Sequence, residues 1–226
     1  MPVEVTSSLS RERLQADERK EQIVQTVLRL VHERGADSVS TQLIADTIGR
    51  SQGAVFRHFP TKEVLWTEVL AWLQGSLEGV WTRALLEHRD EPPLARLESI
   101  LVGHVGLIEK FPALAKVVMS DDLRHRYPML NEQFQRLHIL YERHVTDLLK
   151  EAVRLGQLPK TTNVSNAAIL YFCIIQGLGF QSAIARLHAN KLASLASKMF
   201  LFFVRALENL PAEAKTPQAD SAERRK

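Results

Sequence analysis

The sequence predicts an all-α fold of about nine helices, on three observations. Apolar residues recur three and four positions apart through most of the chain. No stretch of consequence alternates apolar and polar residues as a half-buried strand would. The interruptions are those of helices: Gly35, Gly49 and Gly156 follow apolar stripes, Pro92 and Pro93 stand together, and Ser40, Ser51 and Thr61 precede new stripes.

Composition sets the class. The chain has 226 residues, enough for one or two domains with a large core. A net charge of +3 permits nucleic-acid binding without arguing for it. Any basic site must therefore be local, and between Ser40 and Lys62 the cations Arg50, Arg57 and Lys62 face Asp46 alone. The single cysteine, Cys173, allows no internal disulfide. The N-terminal residues lack the charged-then-apolar pattern of a signal peptide. The longest uninterrupted apolar run, Ala167 to Ile175, is short for a membrane span. A cytoplasmic protein with no membrane partner is expected.

Residues 1–17 are set apart as a flexible arm, although helical spacing is traceable from Ser10 to Gly35. In that first helix Ile23, Val24, Val27, Leu28, Leu30 and Val31 form the inner face. Arg11, Arg13, Arg19 and Lys20 either approach phosphate or belong to a solvated face balanced by Glu12, Asp17, Glu18 and Glu21.

The next stretch, Ser40 to Phe59, reads as two short helices and a tight turn. Ser40 caps the first; Leu43, Ile44 and Ile48 give it one apolar face. Ala45 is small enough for a close crossing, and Gly49 ends the helix in a left-handed conformation. Ser51 caps the second helix, which carries Val55 inward and leaves Gln52, Gly53, Ala54 and Arg57 outward. This is a helix-turn-helix, whose second helix is the kind that enters a DNA major groove. A helical hairpin unrelated to DNA would have no reason to present so small and polar a face.

Thr61 caps a helix from Lys62 to about Glu87. Leu65, Val69, Leu70, Trp72, Leu73, Leu77, Val80, Trp81 and Leu85 hold helical spacing along it, over a length of about 35 Å. No linker separates it from what precedes. The His88–Pro93 break opens a helix to Phe111 with a stripe at Leu97, Leu101, His104, Ile108 and Phe111. A short helix runs from Ala113 to Ser120, and 121–128 is a polar connection. Met129 to Leu155 is a long helix with Leu130, Phe134, Leu137, Tyr141, His144, Leu148, Ala152 and Leu155 in line. Asn163 or Ser165 opens a helix to about Ala189, apolar almost all round, which must be covered on every side. Leu192 to Leu210 closes the fold, with Leu195, Ala196, Met199, Phe200, Phe202, Phe203 and Ala206 inward. The tail 211–226 is expected to be disordered.

The order helix, glycine, capped helix-turn-helix, Phe56-Arg-His-Phe59, Thr61-Lys-Glu63 from about Glu18 to Leu65 resembles the DNA-binding domain of the TetR family of transcriptional regulators. The resemblance covers the first third of the chain; the rest fits in helix number and length. It implies an N-terminal three-helix DNA-binding domain at 18–65 and a C-terminal ligand-binding and dimerisation domain at 66–210. It also implies a regulator, in the main a repressor, that leaves a palindromic operator when a small molecule binds. Thr41 and Gln42 would hold phosphate at the start of the positioning helix. Arg50, Ser51, Gln52, Gly53 and Ala54 would form the start of the reading helix, with glutamine suited to adenine and Ala54 to a thymine methyl. Arg57, His58 and Lys62 would grip phosphate. The position of Arg57 is often aromatic in the family, so this arginine is also a candidate for guanine.

His104 and His144 interrupt apolar stripes on different helices. They admit three readings: contacts to an organic ligand in one cavity, metal ligands with Cys173 as a third, or satisfied core histidines. No H-x-x-x-H or C-x-x-C spacing accompanies them, so no metal and no cofactor are expected. Trp81, Ile108, Phe111, Met119, Tyr141, Phe172 and Gln176 are candidates to line the same space. The last two helices are too apolar for a monomer surface. Gly177, Gly179, Phe180, Met199 and Phe203 are their candidate contacts in a homodimer. No nucleophile elbow, phosphate loop or carboxylate dyad supports an enzyme. The alternative function is a helical ligand-binding or protein-interaction module that keeps the helix-turn-helix as scaffold.

Overall fold

Capping chemistry places the first four helices. In this computed structural model, which describes residues 3–185 and 191–209, α1 (Val3–Arg34) ends at Gly35 with φ 84°. One tight turn, Ala36–Ser38, follows. The Ser40 hydroxyl accepts the Leu43 N–H at 3.1 Å and starts α2 (Thr41–Ile48), which Gly49 terminates at φ 66°. The Ser51 hydroxyl accepts the Ala54 N–H at 3.3 Å and starts α3 (Gln52–His58). The Thr61 hydroxyl does the same for Val64 at 3.1 Å and starts α4 (Lys62–Thr82). A wider turn, Arg83–Glu87, prolongs α4 without a break.

Ile23, Val24, Val27 and Val31 of α1 are buried in one core with Ile44 and Ala45 of α2, Val55 and Phe59 after the turn, and Leu65 and Trp66 of α4. Trp66, absent from the stripe expected for α4, is among its most deeply buried residues. The arm expected at 1–17 is helical from Val3 onward. No glycine or proline lies between Val3 and Arg34 to stop the helix.

The second unit is built on α5 (Pro93–Lys110), which packs against α4, α8, α9 and α10. α6 (Ala113–Val118) and α7 (Asp121–Arg126) are short; α8 (Pro128–Arg154), α9 (Val164–Ala185) and α10 (Leu192–Asn209) are long. The described residues thus hold ten α-helices and no strand, in line with the nine or so expected; the one not foreseen is 121–126. The Ser120 hydroxyl caps it through the Leu123 N–H, and Leu123 anchors it in the core. Polar links also cross the core: Arg96 of α5 pairs with Glu151 of α8, and the Tyr171 hydroxyl donates to the Leu97 carbonyl at 2.9 Å. A Cβ on Gly103 would stand 2.7 Å from Val80, so glycine is what lets α4 and α5 approach.

Among the described residues the two units touch through three polar contacts besides α4 itself. Lys116 of α6 donates to the His32 carbonyl at 3.2 Å, and the Met129 N–H at the start of α8 donates to Glu63 at 3.2 Å. Arg126 lies 3.9 Å from Asp37.

α9 buries Ala167, Ala168, Tyr171, Ile175 and Leu178, yet Ile169, Leu170 and Phe180 stay exposed. Its segment Val164–Ser182 is long and apolar enough to cross a membrane by composition, and neighbouring helices bury a third of it. On α10 the inner face is Leu192, Ala196, Phe200, Phe203 and Leu207. Phe202 and Ala206, expected inward, point out; Phe202 is 63% exposed. The expected tail 211–226 and the end of the α9 stretch near Ala189 lie outside the described residues.

Candidate nucleic-acid interface and core cavity

The helix-turn-helix presents one continuous polar edge. Gln42, Arg50, Ser51, Gln52, Gly53, Arg57 and Lys62 are exposed; Thr41, Ala54 and His58 are partly so. The two helices are tied at their starts, where the Gln52 amide donates to the Thr41 hydroxyl at 3.1 Å. Gln42 is occupied within its own helix, its amide donating to Asp46 at 2.7 Å. A Cβ on Gly53 would meet nothing within 4 Å, so the fold itself does not require glycine there.

His58 stands among cations. Burial first, then Arg19, Lys20 and Arg57, hold its pKa below the ordinary imidazole value. Arg19 and Lys20 are partly buried, and Lys20 pairs with Glu68 at 3.8 Å. Arg11 and Arg13 lie where side chains are outside the description. Sequence reasoning missed Phe56, whose ring is 48% exposed beside Arg57 while Phe59 is buried. Its signal was there: an aromatic next to the exposed arginine and out of step with Val55 and Phe59.

The second site is a partly open cavity of about 110 Å³ bordered by α4, α5, α6, α8 and α9. His104, Ile108, Met119, Tyr141, Phe172 and Gln176 line it, as the sequence grouped them. Leu73, Leu77, Phe134, Leu137 and His138 line it too and were not singled out as pocket residues. The polar floor is one pair: His104 Nδ1 lies 2.9 Å from the Tyr141 hydroxyl. Burial lowers His104 to about 4 and raises Tyr141, so both are neutral at physiological pH. Trp81 packs 5.0 Å from Tyr141 and 4.9 Å from His144, ring centre to ring centre. It thus joins the far end of α4 to the cavity floor without lining it.

Besides Trp81, three expected positions fall elsewhere. His144 stacks on Trp81 outside the lining, with its pKa lowered first by burial. Phe111 packs edge-on against Trp72 at 4.8 Å and faces a cleft between α1 and α5. Cys173 is exposed on the outer side of α9 and cannot join His104 and His144. Among the described residues no group of three or more His, Cys, Asp or Glu is arranged to hold a metal.

The expected dimer contacts divide. Gly177 and Phe180 are exposed and Met199 is half-buried. Gly179 faces inward, where a Cβ would meet Ile108 and Ala115 at 3.5 and 3.6 Å, and it lines the cavity. Phe203 is 2% exposed and packs on Tyr171, within its own chain. Both belong to the core. Ile169, Leu170, Leu201 and Phe202 are instead the exposed apolar residues of α9 and α10.

The family model for bacterial regulatory proteins of the tetR family matches residues 23–69. Similar sequences include the nucleoid occlusion factor SlmA of an Enterobacter species, 29% identical over 159 residues, 69% of this chain and 79% of that protein. SlmA of a Marinomonas species is 23% identical over 161 residues, 71% and 81% of the two. Among solved structures, a TetR transcription regulator from Haloarcula marismortui superposes with a TM-score of 0.69 at 17% identity, over 84% of this chain and 98% of that one. The regulator FadR of Bacillus subtilis, solved with stearoyl-CoA, gives 0.67 at 16% identity, over 81% and 97%. At those identities the structures speak for the fold.

Proposed function

We propose that this chain, a member of the TetR family of bacterial DNA-binding transcriptional regulators, represses from a palindromic operator as a cytoplasmic homodimer and is released by a small molecule. The observation that carries the DNA reading is the edge formed by Gln52, Gly53 and Ala54 between Arg50, Arg57 and Lys62, registered on α2 by the bond to Thr41. In a groove, Gln52 is suited to an adenine edge and Ala54 to a thymine methyl. Arg57 and Lys62 take phosphate, and the Thr41 hydroxyl at the start of α2 does likewise. Gln42 must exchange its bond to Asp46 for a phosphate. Phe56 would lie against the sugar edge beside Arg57.

One reading helix covers one half-site, so two copies are needed about one DNA turn apart. The exposed Ile169, Leu170, Phe180, Leu201 and Phe202 supply a shared apolar face on α9 and α10 that a second copy would cover.

Release requires a ligand that binds one arrangement of the pair better than the other. α4 begins at Lys62 on the DNA edge, borders the cavity at Leu73 and Leu77, and carries Trp81 against the cavity floor. α6 borders the same cavity at Leu114, Ala115, Val118 and Met119 and holds the end of α1 through Lys116. A ligand that shifts these helices changes the spacing of the two readers. Moving the population from almost wholly competent to almost wholly incompetent takes about 5.5 kcal/mol, which two ligands share.

The likeness to SlmA, which runs beyond the helix-turn-helix, favours a second reading: a DNA-bound factor in nucleoid occlusion rather than at a promoter. Selection of bound fragments from the source genome separates the two. Enrichment of a palindrome beside the chain's own gene supports the promoter reading. Sites scattered through the chromosome support the other, and no enrichment contradicts both.

A further inference from the structure

The cavity holds an unusual combination: an apolar wall, no charged group, and one histidine whose bonding is half complete. No Lys, Arg, Asp or Glu lines it; its polar members are His104, His138, Tyr141 and Gln176. Tyr171 is spent on the Leu97 carbonyl. The Tyr141 hydroxyl has two groups beside it able to accept, His104 Nδ1 at 2.9 Å and the Tyr171 hydroxyl oxygen. An imidazole nitrogen is the stronger base of the two, so Tyr141 donates and Nδ1 accepts. The hydroxyl oxygen then keeps its lone pairs toward the buried Trp81 N–H, which has no partner of its own among the described residues. A neutral imidazole that accepts at Nδ1 carries its proton on Nε2. No acceptor for that Nε2–H is found among the described residues.

Size narrows the occupant further. A dry apolar cavity of roughly 150 Å³ takes up benzene in another protein. At about 110 Å³ this one holds no more than a single ring, and because it is partly open beside Met119 and Gln176 a short substituent can extend past that volume; the long acyl chain of stearoyl-CoA is far larger. An unpaired carboxylate or phosphate placed here would lose its hydration with no cation to replace it.

Resting on the ligand-release reading above, we propose that the cavity selects an uncharged, ring-sized apolar molecule bearing one hydrogen-bond acceptor, which the Nε2–H of His104 meets. Monocyclic ketones and aryl ketones are the simplest members of that class. Anionic analogues of the same shape are excluded.

Three near-isosteric probes test this on the full-length protein without DNA: acetophenone, ethylbenzene and benzoate, by calorimetric titration and thermal shift. Acetophenone is expected to bind, ethylbenzene to bind about tenfold more weakly for want of one buried hydrogen bond, and benzoate not at all. His104→Phe should bring acetophenone down to the level of ethylbenzene, while His104→Gln, which retains an N–H, keeps part of the preference. Should either variant fail to fold, the ranking by the unaltered protein decides. Benzoate binding as tightly as acetophenone, a preference unchanged in a folded His104→Phe protein, or no binding by any probe would each overturn the proposal. DNA is absent, so failure here leaves the DNA reading standing, and failure to bind DNA leaves this ranking standing.

Discussion

The side-chain amide of Gln52, first residue of α3, donates to the hydroxyl of Thr41, first residue of α2, at 3.1 Å. The bond spans eleven positions and sets the reading helix against the positioning helix before any DNA arrives. It also places Gln52, proposed to read a base, next to Thr41, proposed to hold phosphate. Gln52→Ala should relax base preference at one position of each half-site, by about 1–3 kcal/mol between the best and other bases. Gly53→Leu should leave the thermal midpoint nearly unchanged, since Gly53 is exposed and a Cβ there meets nothing within 4 Å, yet abolish groove docking. Competition binding against single-base operator variants checks the first, and calorimetry with a gel shift the second.

Arg57 and Lys62 carry the phosphate side of the account. Arg57→Ala and Lys62→Ala should each weaken binding to all sequences alike and lower the slope of log K against log salt by about one. If Arg57 reads guanine instead, its replacement will alter sequence preference as well as the slope. A salt titration on cognate and scrambled duplexes separates the two roles.

The proposed homodimer would rest on α9 and α10. Phe202→Arg, at a site 63% exposed in one chain, should leave the monomer folded and shift mass in light scattering from two chains to one. Gly177→Leu should do the same, because Gly177 is exposed and a Cβ there meets nothing within 4 Å. Operator affinity should fall in both. A monomer from the unaltered protein at micromolar concentration contradicts the arrangement.

His104 predicts acid sensitivity of a definite sign. Its folded-state value of about 4 lies below the 6.5 of an unfolded imidazole, so protonation favours unfolding. The contribution is whole above pH about 6.5, declines as pH falls toward 4, and amounts to roughly 3 kcal/mol across that window. His144 and His58, also lowered, act in the same direction. Urea unfolding at pH 7.5 and pH 5 should show a smaller loss for His104→Phe than for the unaltered protein. Equal losses contradict the neutral, buried histidine.

Local chemistry was legible in the sequence wherever one residue decides the backbone. Ser40, Gly49, Ser51 and Thr61 each stand at the helix end expected of them, and Asn163 caps α9 through the Asn166 N–H at 3.1 Å. α7 was not legible, because six residues with one buried apolar anchor, Leu123, make no periodicity. The orientation of α9 was not legible either. A helix apolar all round carries no preferred face, so nothing in it distinguishes the inward Gly179 from the outward Cys173. The cavity was half legible: the α5 and α8 stripes named His104 and Tyr141. That His138 and not His144 reaches the lining depends on how α8 meets α4 and α9. Phe203 shows the same limit on α10, where packing on Tyr171 claims it for the core.

The central claim is that the edge from Thr41 to Lys62 reads DNA by sequence. The most direct measurement is affinity of the full-length protein for the palindrome beside its own gene and for a scrambled duplex, across a salt series. The account predicts tight, selective binding of two chains per palindrome, with log K falling linearly in log salt and selectivity lost in Gln52→Ala. Equal affinity for both duplexes at every salt, or no binding to either, would contradict it.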